Sequence, residues 1–156
     1  MNPPDNLVVF ALDTQHYAIH LSTVERAVRM VEITPLPHAP EIVLGVVNVQ
    51  GRIIPVLNMR KRFRLPERRA GVHDHLLIAR TPKRAVALAV DAVHGVVESP
   101  AHEAITPAAI VPGLEYVAGV VKLADGMLFI HDLDAFLSLE EEEELEAAIS
   151  AEEGAG

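Results

Sequence analysis

Apolar and polar residues alternate in short stretches of the chain, in Tyr17, Ile19, Leu21 and again in Val86, Leu88, Val90. A two-residue repeat of this kind marks a strand with one buried face. Each run follows another β-rich run across a polar turn, D-T-Q-H (Asp13 to His16) in one case and T-P-K-R (Thr81 to Arg84) in the other, which predicts two hairpins. A Val-x-x-x-Val step comes next, Val24 to Val28 and Val93 to Val97, too short for a helix of its own. Proline-rich connections follow, Thr34 to Pro40 and Ser99 to Gly113, because proline ends strands and stiffens loops. Two further hairpins are predicted, Val46 to Leu57 turning at Gln50-Gly51 and Val120 to Ile130 turning at Asp125-Gly126, since a polar residue before glycine suits a tight turn with positive φ. Pro55, which has no N–H for a ladder, belongs on an edge or at a strand end. Only Ser138 to Ile149 reads as a clear helix, with an N-cap serine, acids in the first turns, and Leu145 and Ile149 on one face.

The elements recur in order. Leu7 to Val28 matches Leu76 to Val97 without gaps at a shift of 69, and Gly45 to Phe63 matches Gly119 to Leu137 at a shift of 74. Two matches in the same order point to a tandem duplication of a unit of about 60 to 70 residues. Four or five short strands per copy, with no room for a second layer, describe a small barrel, and two copies describe a pair of them.

Composition agrees. Half of the 156 residues are hydrophobic but only 4% aromatic, without tryptophan, so the core is built from Val, Ile, Leu and Ala, which favours strands. Cysteine is absent, which removes disulfides, thiolate nucleophiles and cysteine-bound zinc. The start has no leader pattern and no run nears the roughly 18 apolar residues of a membrane span, so a soluble cytoplasmic protein without membrane insertion is expected. The net charge of −9 sits at the end: residues 140–156 hold eight acids and no base. A nearly neutral body argues against nucleic acid, whose phosphates require a sustained basic face.

Catalytic motifs are missing. Gly45 and Gly51 flank no lysine-hydroxyl pair, so a phosphate loop is not expected. Ser22, Ser99 and Ser138 each have a structural explanation, and none stands in a nucleophile motif. His73-Asp74-His75 and His131-Asp132-x-Asp134 gather possible metal ligands, yet no third ligand with typical spacing accompanies them. They define an alternative reading, a small ligand sensor or metal-dependent enzyme using His73, His75 or His131. Arg60, Lys61, Arg62, Arg64, Arg68 and Arg69 form the only basic cluster, read as a solvated turn or a site for an acidic partner rather than a nucleic-acid contact. The glutamate run reads as a solvated helix.

The frame G-V-V-N-V-Q-G-R-I-I-P-V-L-N-M-R-K-R-F, Gly45 to Phe63, resembles the signature of the CheW family of chemotaxis coupling proteins. The resemblance runs from Leu7 to Leu139 and includes V-V-F-x-L near the start, Tyr17-x-Ile19, A-L-A-V-D-A-V and G-L-E-Y-V-A-G-V. It implies an all-β fold of two intertwined five-stranded SH3-like barrels with a C-terminal acidic helix. Residues 1–6 are then a disordered N-terminus, 7–139 one domain of two pseudo-repeated lobes, and 140–156 the acidic helix and tail. It also implies a non-catalytic adaptor without cofactor, joining chemoreceptor cytoplasmic tips to the regulatory domain of a CheA histidine kinase and recruited to membrane-associated arrays. The receptor helix would lie in a groove that carries over to Val24, Gly45, Asn48, Gln50, Gly51, Val93 and Val96, an established mode of recognition. Two positions depart from the family: Arg26 stands where Glu is usual and Gln50 where Arg is usual, so Arg26 is expected to hydrogen-bond the Gln50 amide oxygen in a pair that sets partner choice.

Overall fold

The computed structural model describes residues 5–69, 71–99, 104–105, 117–123, 126–131 and 133–155. Along the chain run β1 (Asp5–Leu12), β2 (Gln15–His20), β3 (Val24–Arg29), β4 (Val43–Val49), β5 (Arg52–Leu57) and α1 (Met59–Arg62). Then come β6 (His75–Arg80), β7 (Ala85–Val90), β8 (Ala92–Ser99), β9 (Ala104–Ile105), β10 (Val117–Leu123), β11 (Gly126–His131) and α2 (Leu139–Ala155). One sheet has the order β8-β1-β2-β11-β10-β9 and the other β3-β6-β7-β5-β4. These are the two barrels, termed first and second here.

The duplication fixes this topology. Exchanging each strand of one copy for its equivalent in the other turns β8-β1-β2-β11-β10 into β3-β6-β7-β5-β4. The copies have therefore traded strands: β6 and β7 complete the barrel begun by β3, β4 and β5, and β8, β10 and β11 complete that of β1 and β2. Register follows suit. Leu7 pairs with Val97 and Leu76 with Val28, at the same shift of 69. Each of these ladders is interrupted at the corresponding place, between Val9 and Phe10 and between Val24 and Arg26, leaving His94 and Glu25 as the bulged residues. The parallel pairs Ile130 with Ala18 and Val56 with Ala87 are likewise equivalent.

Three cores result. Val47, Val49, Ile54, Val56, Leu76, Ile78 and Ala87 fill the second barrel. Leu7, Val9, Ala18, Leu128 and Ile130 occupy equivalent places in the first. Between the barrels lies a central core, with Val8, Phe10, Tyr17 and Ile19 from one sheet against Leu77, Ala79, Val86 and Leu88 from the other. Strands β1 and β6 are thus buried on both faces, which is why their sequences are apolar without interruption.

Several expectations change. Strand β1 begins at Asp5, inside the stretch expected to be disordered, while residues 1–4 lie outside the described residues. The first sheet gains the two-residue β9, a sixth strand. The expected turn at Asp125-Gly126 falls partly outside the described residues, and Gly126 itself pairs with Leu123 as the first residue of β11. The connection 106–116 and Asp132 also lie outside the described residues. Pro55 sits in β5, an interior strand rather than an edge. It is tolerated because its partner Val46 exchanges both backbone hydrogen bonds with Thr34 on the far side, so the proline nitrogen faces β7, whose ladder with β5 starts only at Val56. A short helix, α1, for which the sequence pattern gives no sign, follows β5; Asn58 caps it by accepting from the Lys61 N–H at 3.1 Å.

Helix α2 opens with a reciprocal cap. The Glu141 N–H donates to Ser138 Oγ at 3.1 Å and the Ser138 N–H to Glu141 Oε1 at 2.8 Å. Leu145 joins the central core and Ala148 is buried. The glutamates are not merely solvated: Arg62 donates to Glu141 at 2.6 Å, and Arg84 donates to Glu142 at 2.8 Å and Glu146 at 2.7 Å. Burial pushes the Glu141 carboxyl up, but the Ser138 N–H and Arg62 outweigh it and hold the group below its usual range.

Candidate binding surface

At one end of the second barrel a side-chain hydrogen bond runs from the edge strand β3 to the β4–β5 turn. Arg26 on β3 shares a face with Val28, which packs into the barrel core. Its Nη2 donates to Gln50 Oε1, in the β4–β5 turn, at 2.7 Å, as the substitution pair led one to expect. Beside it Arg52 Nη1 donates to Glu25 Oε2 at 2.8 Å, and Arg80 lies 3.5 Å from the other Glu25 oxygen. The Arg52 hydrogen bond is the main reason the Glu25 carboxyl stays below its usual range, against the upward push of burial, with Arg80 adding to it. The sheet therefore closes on itself through side chains at a mouth of mixed charge.

The turn itself is specified by sequence. Gln50 and Gly51 have φ of 51° and 83°, the two positive values a type I′ hairpin requires. Asn48 Oδ1 accepts from the Gly51 N–H at 2.9 Å. Gly45 has an internal reason: at φ 152° an added Cβ would stand 2.3 Å from the Thr34 carbonyl oxygen, so a side chain is excluded by the Thr34–Val46 bridge. Val24 and Val93 are half-buried against the central core. Val96 lies on β8, at the edge of the first sheet, and is 55% exposed beside exposed Val97. The expected residues thus fall into a polar mouth (Arg26, Asn48, Gln50, Gly51), two valines at the barrel junction and one on the β8 edge.

The histidines of the metal reading, His73, His75 and His131, do not converge. His131 is buried among Phe63, Tyr17 and Phe136, with ring centres 4.4, 5.5 and 5.6 Å away. Its neighbour Tyr17 has its phenol pushed up to about 12, by burial first and then by Asp13. His73 is exposed and His75 opens β6, but Asp74 between them accepts from Arg68 at 2.8 and 3.0 Å and from the Gly71 N–H at 2.7 Å. Among the described residues no three His, Asp or Glu side chains form a group able to hold a metal.

The basic cluster is mixed: Arg60 is buried and Arg62 half-buried, while Lys61, Arg64, Arg68 and Arg69 are exposed. Buried Arg60 donates to Asp13 and Asp91, each at 2.7 Å, and to the Pro66 carbonyl at 2.9 Å. Arg68 bridges Asp74 and Asp91, and Lys61 reaches Glu41 at 3.0 Å. Burial raises the Asp74 carboxyl, yet Arg68 and the Gly71 N–H hold it below its usual range; Arg60 does the same for Asp13, chiefly through its hydrogen bond. This network ties the β1–β2 turn of the first barrel to the β7–β8 junction. The sequence carries no local sign of it, since its acids come from three distant turns.

The profile of the CheW-like domain matches residues 6–141. "Chemotaxis protein CheW" of Treponema pallidum is 28% identical over 145 residues, 89% of this chain and 85% of that protein. Its counterpart in Rhizobium meliloti is 27% identical over 139 residues, 88% and 90% of the two chains. The crystal structure of the scaffolding protein TtCheW from Thermoanaerobacter tengcongensis superposes with a TM-score of 0.80 at 29% identity, over 89% of this chain and 96% of that one. The chain belongs to the CheW-like domain family.

Proposed function

We propose that this chain is a non-catalytic chemotaxis adaptor that couples the cytoplasmic tips of chemoreceptors to the regulatory domain of a CheA-type histidine kinase. The observation that carries the reading is the match over residues 6–141, with the whole two-barrel fold shared with a protein described as a scaffold. The receptor contact is assigned to Val24, Arg26, Gly45, Asn48, Gln50, Gly51, Val93 and Val96, a surface that offers apolar contact at the barrel junction and polar contact at the second mouth. A helical hairpin laid against such a surface needs no catalytic group. On this reading the protein works in the cytoplasm, drawn to receptor arrays by its partners; among the described residues no helix is long and apolar enough to cross a membrane.

The test is reconstitution. Receptor fragments and kinase are assayed for ATP turnover with and without the full chain, and a rise that requires all three components is expected. Turnover indifferent to the chain, with no binding to either partner, overturns the proposal. Arg26→Glu is expected to weaken receptor binding without unfolding the protein, because the Arg26 hydrogen bond to Gln50 is to a neutral amide in an exposed contact.

A further inference from the structure

We propose that the mouth of the first barrel binds a divalent late transition-metal ion through the imidazoles of His16 and His94. The pseudo-symmetry of the fold locates this site. In the second barrel the equivalent mouth is filled by Glu25 and the arginines Arg26, Arg52 and Arg80. In the first barrel the bulged position of Glu25 is taken by His94, and the three arginine positions by Gly95, Gly126 and Ala11. His16 stands where the second barrel has Ala85. Three long cations have thus given way to almost nothing, and two imidazoles have entered. The space is real at Gly95, where an added Cβ would meet no atom of the described residues within 4 Å.

The rings already have chelating separation. Their centres are 5.0 Å apart with planes at 74°. A metal about 2.1 Å from one nitrogen of each ring, at ligand angles between about 90 and 110°, puts the ring centres about 4.6 to 5.3 Å apart. Imidazole suits Cu²⁺, Ni²⁺ and Zn²⁺. No third His, Asp or Glu joins the pair among the described residues, so water or a partner's side chain completes the coordination. An ion bound there ties β2 to β8 across β1, and so fixes the edge strand that carries Val96.

The full-length chain is titrated with CuCl₂, NiCl₂ or ZnCl₂ while thermal unfolding is followed. One ion per chain is expected to raise Tm, copper most strongly. Either His16→Asn or His94→Asn abolishes the rise, while the double variant His73→Asn, His75→Asn keeps it. Copper electron spin resonance of the unmutated protein counts nitrogen ligands directly, which guards against a variant that folds badly; two are expected. A spectrum with fewer, a rise that survives both single variants, or one lost only with His73 and His75 overturns the site.

Discussion

The second barrel is closed at its mouth by Arg26 on Gln50 and by Glu25 between Arg52 and Arg80, whereas the first carries His94, Gly95, Ala11 and His16 at the equivalent places. Inside, the two hardly differ: Leu76, Ile78, Ala87, Ile54 and Val56 of one match Leu7, Val9, Ala18, Leu128 and Ile130 of the other. An inward residue packs on strands supplied by the other copy, so changing it disturbs both halves of the duplication. A mouth residue touches water and one or two polar neighbours, and is free to diverge. Interaction chemistry is therefore to be sought where the symmetry fails.

The sharpest way to break the equivalence is Gly45→Ala. Its Cβ would collide with the Thr34 backbone at a positive φ, and a loss of about 3 kcal/mol or more is expected in denaturant unfolding. Next is Arg60→Met, which leaves Asp13 and Asp91 without the buried cation that joins the barrels. A loss of about 2 kcal/mol is expected, below the fully buried case because the acids are partly exposed. Acid gives a graded comparison. Glu25, Asp13, Asp74 and Glu141 all have carboxyls held below the usual range, so their stabilisation is complete above that range, about 4, and lost as pH falls through and below it. Hydrogen exchange is expected to rise, as pH falls through that range, at β3 and β5 of the charged mouth and at the β1–β2 turn that Asp13 holds. Smallest is Arg26→Ala, expected to shift stability by less than about 1 kcal/mol; a larger loss would show that the second mouth is a structural closure and not a free surface.

Much of this was legible in the residues. The hairpins and the duplication show because inward positions recur every second residue and both copies keep them, as Leu7, Val9 and Leu76, Ile78 do. The strand exchange does not show, since nothing local tells β1 to pair with β8 rather than with its own copy's third strand. Helix α1 is not legible in the pattern, because four residues carry no helical period. The preference of proline for edges misplaces Pro55, because the decisive fact is which side of β5 its nitrogen faces. Of the candidate surface, the Arg26 to Gln50 bond was legible only as a paired departure from a family frame. The splitting of Val93 and Val96 from the polar mouth depends on long-range pairing.

The exchange of strands has a temporal side. The second barrel is one continuous stretch, β3 to β7, and its parallel closure joins Val56 to Ala87. The first is interrupted by it, and must bring Ala18 to Ile130. Loop-closure entropy favours the nearer pair, and a chain leaving the ribosome offers it first. During synthesis the second barrel is therefore expected to close while β1 and β2 wait as an unfinished hairpin, and the order of strands along the chain becomes an order of events.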